Sequence, residues 1–469
     1  MTDSILFWND VALEANRISH TNGKKEQTGP ALSSRALAIV HLAMYDAYVA
    51  VAKPAEFAPY QQGLPAAPAG ASASAAVASA AFETLTALFP SQRAFFEAKL
   101  VEARLPPRDP GLAFGRQVAA ALLEDRAADP GAGDEGYTPS MARGHHRPDP
   151  DNPTQGFHAP FYGARMKGFA ITARHELDAP PFDDREYLRA LRDVRAQGIA
   201  PELAGTLPPG VVPRTAAQTL IGLFWAHDGA VDIGTPPRFY NKIVARIAVA
   251  HGNSEAANAR LFALVNAAMA DAGTLAWEQK YEHDLWRPVL GIREQDRSTG
   301  PAASRPANDV STDADIGWLP LGAPATNEAG KKNATPPFPA YPSGHATFGA
   351  AAFHITRLFY GVPLGDRKPD HLFEGLSIVS DELNGISKDN RGTVRPRHIR
   401  DFPGGLWQMI IENGLSRVYL GVHWSFDAFA LRESGKPDLS ENVGGVALGL
   451  KIAEDIFRSG LKKSHVGPR

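Results

Sequence analysis

The chain has 469 residues, enough for a full hydrophobic core and, by length alone, for two or three domains. Its formal net charge of −3 and its 44% hydrophobic content exclude the basic excess of a nucleic-acid binder and the polarity of a disordered chain. It contains no cysteine, which excludes disulfides, thiolate metal sites, iron–sulfur clusters and cysteine nucleophiles; any metal must be held by histidine or oxygen.

Residues 1–9 lack a basic stretch followed by an apolar run, so no secretory signal is expected and the cytoplasm is the default location. Helices are predicted over 32–52, 71–88, 91–100, 112–127 and 186–198, where Ala, Leu and Arg are frequent and apolar positions recur near the helical period. Arg35, His41 and Asp46 interrupt the first of these. No transmembrane helix is therefore expected, and a membrane-embedded lipid phosphatase is disfavoured. Helical patterning resumes over 216–227, 239–251, 254–281, 344–360, 372–386, 404–420 and 446–459, with no convincing β-alternation. Two irregular stretches separate these blocks, about 131–181 and 293–342. Stretches of that length are usually functional or disordered, and the second ends in Ser343-Gly344-His345, which favours function.

The segment Pro336-Pro337-Phe338-Pro339-Ala340-Tyr341-Pro342-Ser343-Gly344-His345 stands between two basic patterns, Lys280 with Arg287-Pro288 and Ser416-Arg417 with His423 and Asp427. Three cations, two histidines, a serine hydroxyl and a glycine amide are what a site needs to hold a tetrahedral oxyanion and do acid–base or covalent chemistry on it. Lys280 and Arg287 are seven positions apart, so a continuous helix projects them from nearly one face. That spacing is equally common on solvated helix faces, but Trp277, Leu285 and Trp286 around it predict burial, and buried cations need a partner. Pro288 should kink or end the helix at Arg287.

Ser343-Gly344 opens the next helical run, so the Gly344 amide is expected at a helix N-terminus, where anions are welcomed. A plain N-cap at Ser343 with a surface His345 is the simpler structural reading. Beside an anion, His345 suits a general acid or base. Arg417 and His423 are six apart, and on one helix they converge only if Arg417 reaches round or the backbone bends near Gly421. His423 and Asp427, four apart, let a carboxylate orient an imidazole.

The three dispersed motifs, Lys280…Arg287-Pro288, Pro342-Ser343-Gly344-His345 and Ser416-Arg417…His423…Asp427, resemble the signature shared by vanadium-dependent haloperoxidases and the type-2 phosphatidic acid phosphatase-like acid phosphatases. Within that superfamily the likeness to fungal-type vanadium chloroperoxidases spans roughly 157–459 and is weak before it. The resemblance implies an all-α architecture of two four-helix bundles with orthovanadate in the C-terminal one. The division implied is 1–200, a helical bundle with a long loop, and 201–469, the bundle carrying the oxyanion site. It implies His423 as the ligand to vanadium. Lys280, Arg287 and Arg417, with Ser343 and the Gly344 amide, are implied around the vanadate oxygens. His345 is implied as the acid–base group, and Lys280 as the group that polarises the reacting oxygen. Asp228 is implied as partner of Arg417, Asp427 as support for His423, and Trp277 and Phe338 as the halide pocket. Phosphate is expected to occupy the site when vanadate is absent.

The function so implied is oxidation of chloride or bromide by hydrogen peroxide to hypohalous acid, with a small organic acceptor where one exists and neither nucleic acid nor membrane as partner. The alternative is an acid phosphatase with His423 as nucleophile and His345 protonating the leaving group, since phosphate and vanadate share shape and charge. A non-enzymatic anion-binding scaffold is the third reading. The aromatic surroundings, Phe338 and Trp277, favour the peroxidase because they suit a halide and offer nothing polar to an ester's leaving group.

Overall fold

The structure is a computed structural model that describes residues 3–181, 184–294 and 313–469. The chain opens with α1 (Ser4–Ser19), α2 (Pro30–Ala52), α3 (Ala73–Leu88), α4 (Arg93–Glu102) and α5 (Pro110–Asp125). The short α6 (Tyr162–Arg165) interrupts a long irregular stretch before α7 (Asp184–Gln197), α8 (Ala216–Phe224), α9 (Pro236–Ala250), α10 (Glu255–His283) and α11 (Pro288–Arg293). Then come α12 (Gly344–Phe359), α13 (Gly405–Tyr419) and α14 (Gly444–Ser459). Among the described residues, strands are confined to two-residue pairs, such as β1 (Ile378–Val379) against β2 (Ile399–Arg400). The fold is all-α, as expected.

Helix α10 is the axis of the molecule. It is 29 residues long and buried on all sides over most of its length, which is why its sequence shows no single apolar stripe. One side packs on α2, which with α3 and α5 forms the N-terminal bundle; the other packs on α12, which lies against α13 and α14. Buried polar side chains on α10 tie the intervening loops to it. Asp271 accepts from the amides of Phe169, Ala170 and Ile171 at 2.6, 2.7 and 2.9 Å, fixing the end of the first irregular stretch.

Three expectations change. The segment 372–386 is not a helix: Gly375 and Gly385 take φ of +72° and +82°, and Ser380 caps a single 3-10 turn instead. Helix α1 was not foreseen, although Ile5, Trp8, Ala12 and Ala15 line one face and are buried. Lys280 and Arg287 do not share a helix. Asp284 ends α10 in the left-handed conformation, and Arg287, held extended at φ −82° and ψ 159° before Pro288, is the N-cap of α11. Separately, α2 is long and apolar enough to cross a membrane by length and composition, but most of its apolar stretch is buried inside the fold. Asp46 on it accepts the amides of Tyr60 and Gln61, so its polar interruption is spent inside the protein. Residues 295–312 of the second irregular stretch lie outside the described residues.

Candidate active site

Ser343 is the N-cap of α12, its hydroxyl accepting from the Ala346 amide at 3.4 Å, and Gly344 starts the helix. Gly344 lines the same cavity as His345, Arg417 and His423, so this helix N-terminus opens on the site. Helix α14 comes close enough behind that a Cβ on Gly445 would stand 2.4 Å from the Ser343 carbonyl oxygen, so glycine there lets the cap seat. Helix α13 ends at Tyr419, and Gly421, at φ +74°, reverses the chain with the Gly421 amide on Val418 O and the Val422 amide on Arg417 O. A side chain on Gly421 would meet the Gly198 carbonyl at 2.5 Å. This is the backbone bend that brings His423 back beside Arg417.

Lys280, Arg287, Arg417 and His423 are buried, at 0%, 0%, 1% and 2% exposure, and His345 at 8%. They converge electrostatically. Burial first, then Arg287, Lys280, Arg417 and His345, hold the His423 imidazole well below the usual histidine range. Burial, then the Arg417 guanidinium, pushes His345 down to about 3.

Hydrogen bonds assign the tautomers of both rings. Arg287 Nη1 lies 2.9 Å from His423 Nε2, and a guanidinium only donates, so Nε2 carries the lone pair. Nδ1 then carries the proton and donates to Asp427 Oδ2 at 2.7 Å. His345 is the mirror case: Nε2 lies 2.6 Å from the Ala226 carbonyl oxygen, which only accepts, leaving Nδ1 as the basic nitrogen. Burial lifts the Asp427 carboxyl to about 7, against the opposing pull of Lys280 and Arg287.

The cations are placed differently from one another. Arg417 forms a two-pronged pair with Asp228 at 2.7 and 3.1 Å, while its buried Nε has no partner among the described residues. Arg287 donates from Nε to Phe338 O and from Nη1 to Val422 O at 2.8 and 2.7 Å, and its buried Nη2 has no partner among the described residues. Burial drops the Arg287 pKa to about 9. Lys280 directs its ammonium to the carbonyls of Pro339, Ala340 and Pro342 at 2.9, 3.0 and 2.6 Å. An ammonium has three protons, so in this geometry none is left to face an anion. Burial and Arg287 hold its pKa well below the usual lysine range.

Two unpartnered guanidinium N–H groups inside a site of net positive charge amount to an unmet demand for an oxyanion. A tetrahedral vanadate or phosphate fits these residues: donors from Arg287 and Arg417, the first-turn amides of α12, and an imidazole lone pair at His423. Beside the donors, Trp277 and Phe338 stand with ring centroids 4.9 Å apart, and the Phe338 ring lies 5.2 Å from Lys280 Nζ and 4.9 Å from Arg287 Cζ. A cavity of about 290 Å³ leads inward to Gly344, His345, Arg417 and His423, with Trp277, Phe338 and Asp228 on its walls.

All the side chains singled out in the sequence are thus brought to one place. What sequence reading missed was the backbone: the carbonyls of Ala226, Phe338 and Val422 orient a histidine and an arginine, and those of Pro339, Ala340 and Pro342 hold Lys280. A signal for the last existed. A proline-rich segment supplies carbonyls without amides, so its acceptors need donors from elsewhere.

Comparison with known proteins extends the likeness to the start of the chain, correcting the expectation that it begins near residue 157. The model of the vanadium chloroperoxidase N-terminal domain matches residues 1–168, and that of the VCPO second helical-bundle domain matches residues 260–447. The vanadium chloroperoxidase of Curvularia inaequalis is 37% identical, in a match covering 98% of this chain and 90% of that protein. Among solved structures, a bacterial vanadium-dependent iodoperoxidase superposes with a TM-score of 0.62 at 20% identity, covering 96% of this chain and 95% of its own. The apo form of a bacterial vanadium-dependent chloroperoxidase does so with 0.62 at 16%, covering 92% and 95%. At these identities the structures speak to the fold, whereas the near full-length sequence match and the two domain models establish descent: the chain belongs to the vanadium chloroperoxidase family.

Proposed function

We propose that the chain is a vanadium-dependent haloperoxidase that oxidises chloride or bromide with hydrogen peroxide to hypohalous acid. One observation carries the reading: Arg287 Nη2 and Arg417 Nε are both buried without a partner among the described residues, in a site where two imidazoles present opposite nitrogens as bases. Vanadate, when bound, supplies Lewis acidity towards hydrogen peroxide without changing its oxidation state.

The residues divide the remaining work. His423, its Nδ1–H held by Asp427, offers Nε2 as the metal ligand, and Arg287 Nη1 gives up that nitrogen when it is taken. Arg287, Arg417, the Gly344 amide and the Ser343 hydroxyl hold the oxygens. Each charge-assisted contact is worth roughly 1.5–3 kcal/mol. Asp228 keeps the Arg417 fork from turning away. Lys280 contributes positive charge and fixes the 339–342 segment that sets Ser343 in place. His345 Nδ1 accepts a proton from the incoming peroxide and returns it to the departing oxygen. Trp277 and Phe338 form the apolar wall at which a weakly hydrated halide meets the oxidant. Phosphate, with the same shape and charge, competes for the site.

The test is to add orthovanadate to the purified protein and assay peroxide-dependent bromination of a dye beside hydrolysis of an aryl phosphate. Bromination that needs peroxide, halide and vanadate together establishes the peroxidase. Hydrolysis that vanadate inhibits, without bromination, establishes the phosphatase through the His423 lone pair.

A further inference from the structure

The cavity includes the anion site and extends outward from it, past Trp277 and Phe338, to Lys332 and Thr335. Its volume is about 290 Å³. An apolar cavity of roughly 150 Å³ suffices for a benzene ring. Its walls and its rim differ in chemistry. Trp277, Phe348, Pro336, Pro337 and Phe338 line it with flat apolar surface, while Glu328, Lys331, Lys332 and Thr335 line it with polar groups.

The polar groups are unevenly committed. Lys331 is held by Glu328 at 2.9 Å. Lys332 is exposed and has neither a hydrogen bond nor an ion pair among the described residues. Thr335 is 2% exposed, and its backbone amide donates to Asp149 at 3.0 Å, yet its buried hydroxyl has no partner among the described residues. The Asp228 carboxylate on the same cavity is already engaged by Arg417. An ammonium and a hydroxyl, both able to donate and three positions apart in sequence, therefore lack an acceptor among the described residues, and both residues line the cavity that Trp277 and Phe338 line. A buried hydroxyl without a partner costs free energy that a ligand acceptor would recover.

We propose that this cavity binds a one-ring aromatic carboxylate as the halogen acceptor, its ring against Trp277 and Phe338 and its carboxylate between Lys332 and the Thr335 hydroxyl. The proposal rests on the haloperoxidase reading of the inner site and specifies its substrate class. Halide, hydrogen peroxide and one proton give hypohalous acid and water, with the halide losing two electrons to the O–O bond. The ring's π electrons then attack the halogen; the O–X bond breaks and the C–X bond forms. The ring proton and the released hydroxide leave as a second water. Because the ring is already seated at the mouth of the anion site, the halogen reaches it before escaping to solvent.

The experiment is a competition. The vanadate-loaded enzyme, with bromide and peroxide, is offered 4-hydroxybenzoate and its uncharged amide together, and the ratio of brominated products is compared with that from authentic hypobromous acid. A bound acceptor shifts the enzyme's ratio about fivefold towards the acid, as expected of one ion pair with a supporting hydrogen bond. Lys332→Gln should reduce that shift and Lys332→Glu should abolish it, with Thr335→Val intermediate. Saturation-transfer NMR of 4-hydroxybenzoate against the same protein, without peroxide, should show binding that Lys332→Glu weakens. A wild-type ratio equal to that of the free reagent overturns the proposal, as does a shifted ratio that neither Lys332 variant changes. Failure of all halide oxidation would refute the haloperoxidase reading instead, and the NMR measurement would then decide the cavity by itself, absence of binding counting against it.

Discussion

His423 Nδ1 and Asp427 Oδ2 lie 2.7 Å apart, and the same oxygen accepts the Trp424 amide at 3.0 Å. One carboxylate thus fixes both the rotamer and the tautomer of the ring whose other nitrogen faces the anion site.

Asp427→Ala should therefore weaken vanadate binding by about 10–100-fold, because the ring loses its orientation and its basicity together. Asp427→Asn, which can still accept from Nδ1 through its amide oxygen, should fall between the two. Vanadate titration by calorimetry checks this directly. Unchanged affinity in Asp427→Ala would show that Arg287 alone orients the imidazole.

Lys280 donates to three carbonyls of the 339–342 segment, so removing it should be felt in the empty protein. Each buried carbonyl left without a donor costs about 1–3 kcal/mol. Lys280→Met should lower the denaturant midpoint measured without vanadate or phosphate, by an amount equivalent to several kcal/mol on that scale. A midpoint equal to wild type would mean that those carbonyls find other donors and that the lysine serves the anion alone.

His41, fully buried on α2, donates to Leu37 O from one ring nitrogen and lies 3.0 Å from Asn9 Oδ1 with the other; burial depresses its pKa to about 4. The unfolded chain protonates this histidine below about pH 6.5, the folded chain only near 4. The neutral form is thus the one that folding favours. Stability is complete above pH 6.5 and declines as pH falls from there towards 4, by about 3 kcal/mol from this group. Denaturant midpoints at pH 7 and pH 5 should differ less in His41→Gln than in wild type. His158 and His345, also depressed, retain the remaining slope in the variant.

The sequence alone determined the class of fold and nominated the members of a candidate site. Helical periodicity is a local property, and motif spacing survives without coordinates, so Lys280, Arg287, Ser343, Gly344, His345, Arg417 and His423 were legible as one constellation. Local signals failed where glycine and a side-chain cap overrode an apolar run, as over 372–386, and where the chain turned between two cations that one helix was expected to carry. Tertiary structure alone decided what each charged group does. Whether Lys280 faces an anion or three carbonyls, and which nitrogen of His345 or His423 keeps its lone pair, depends on acceptors and donors contributed by segments up to 136 residues away. Hydrogen bonds are directional and short in range, so only the assembled backbone can assign them.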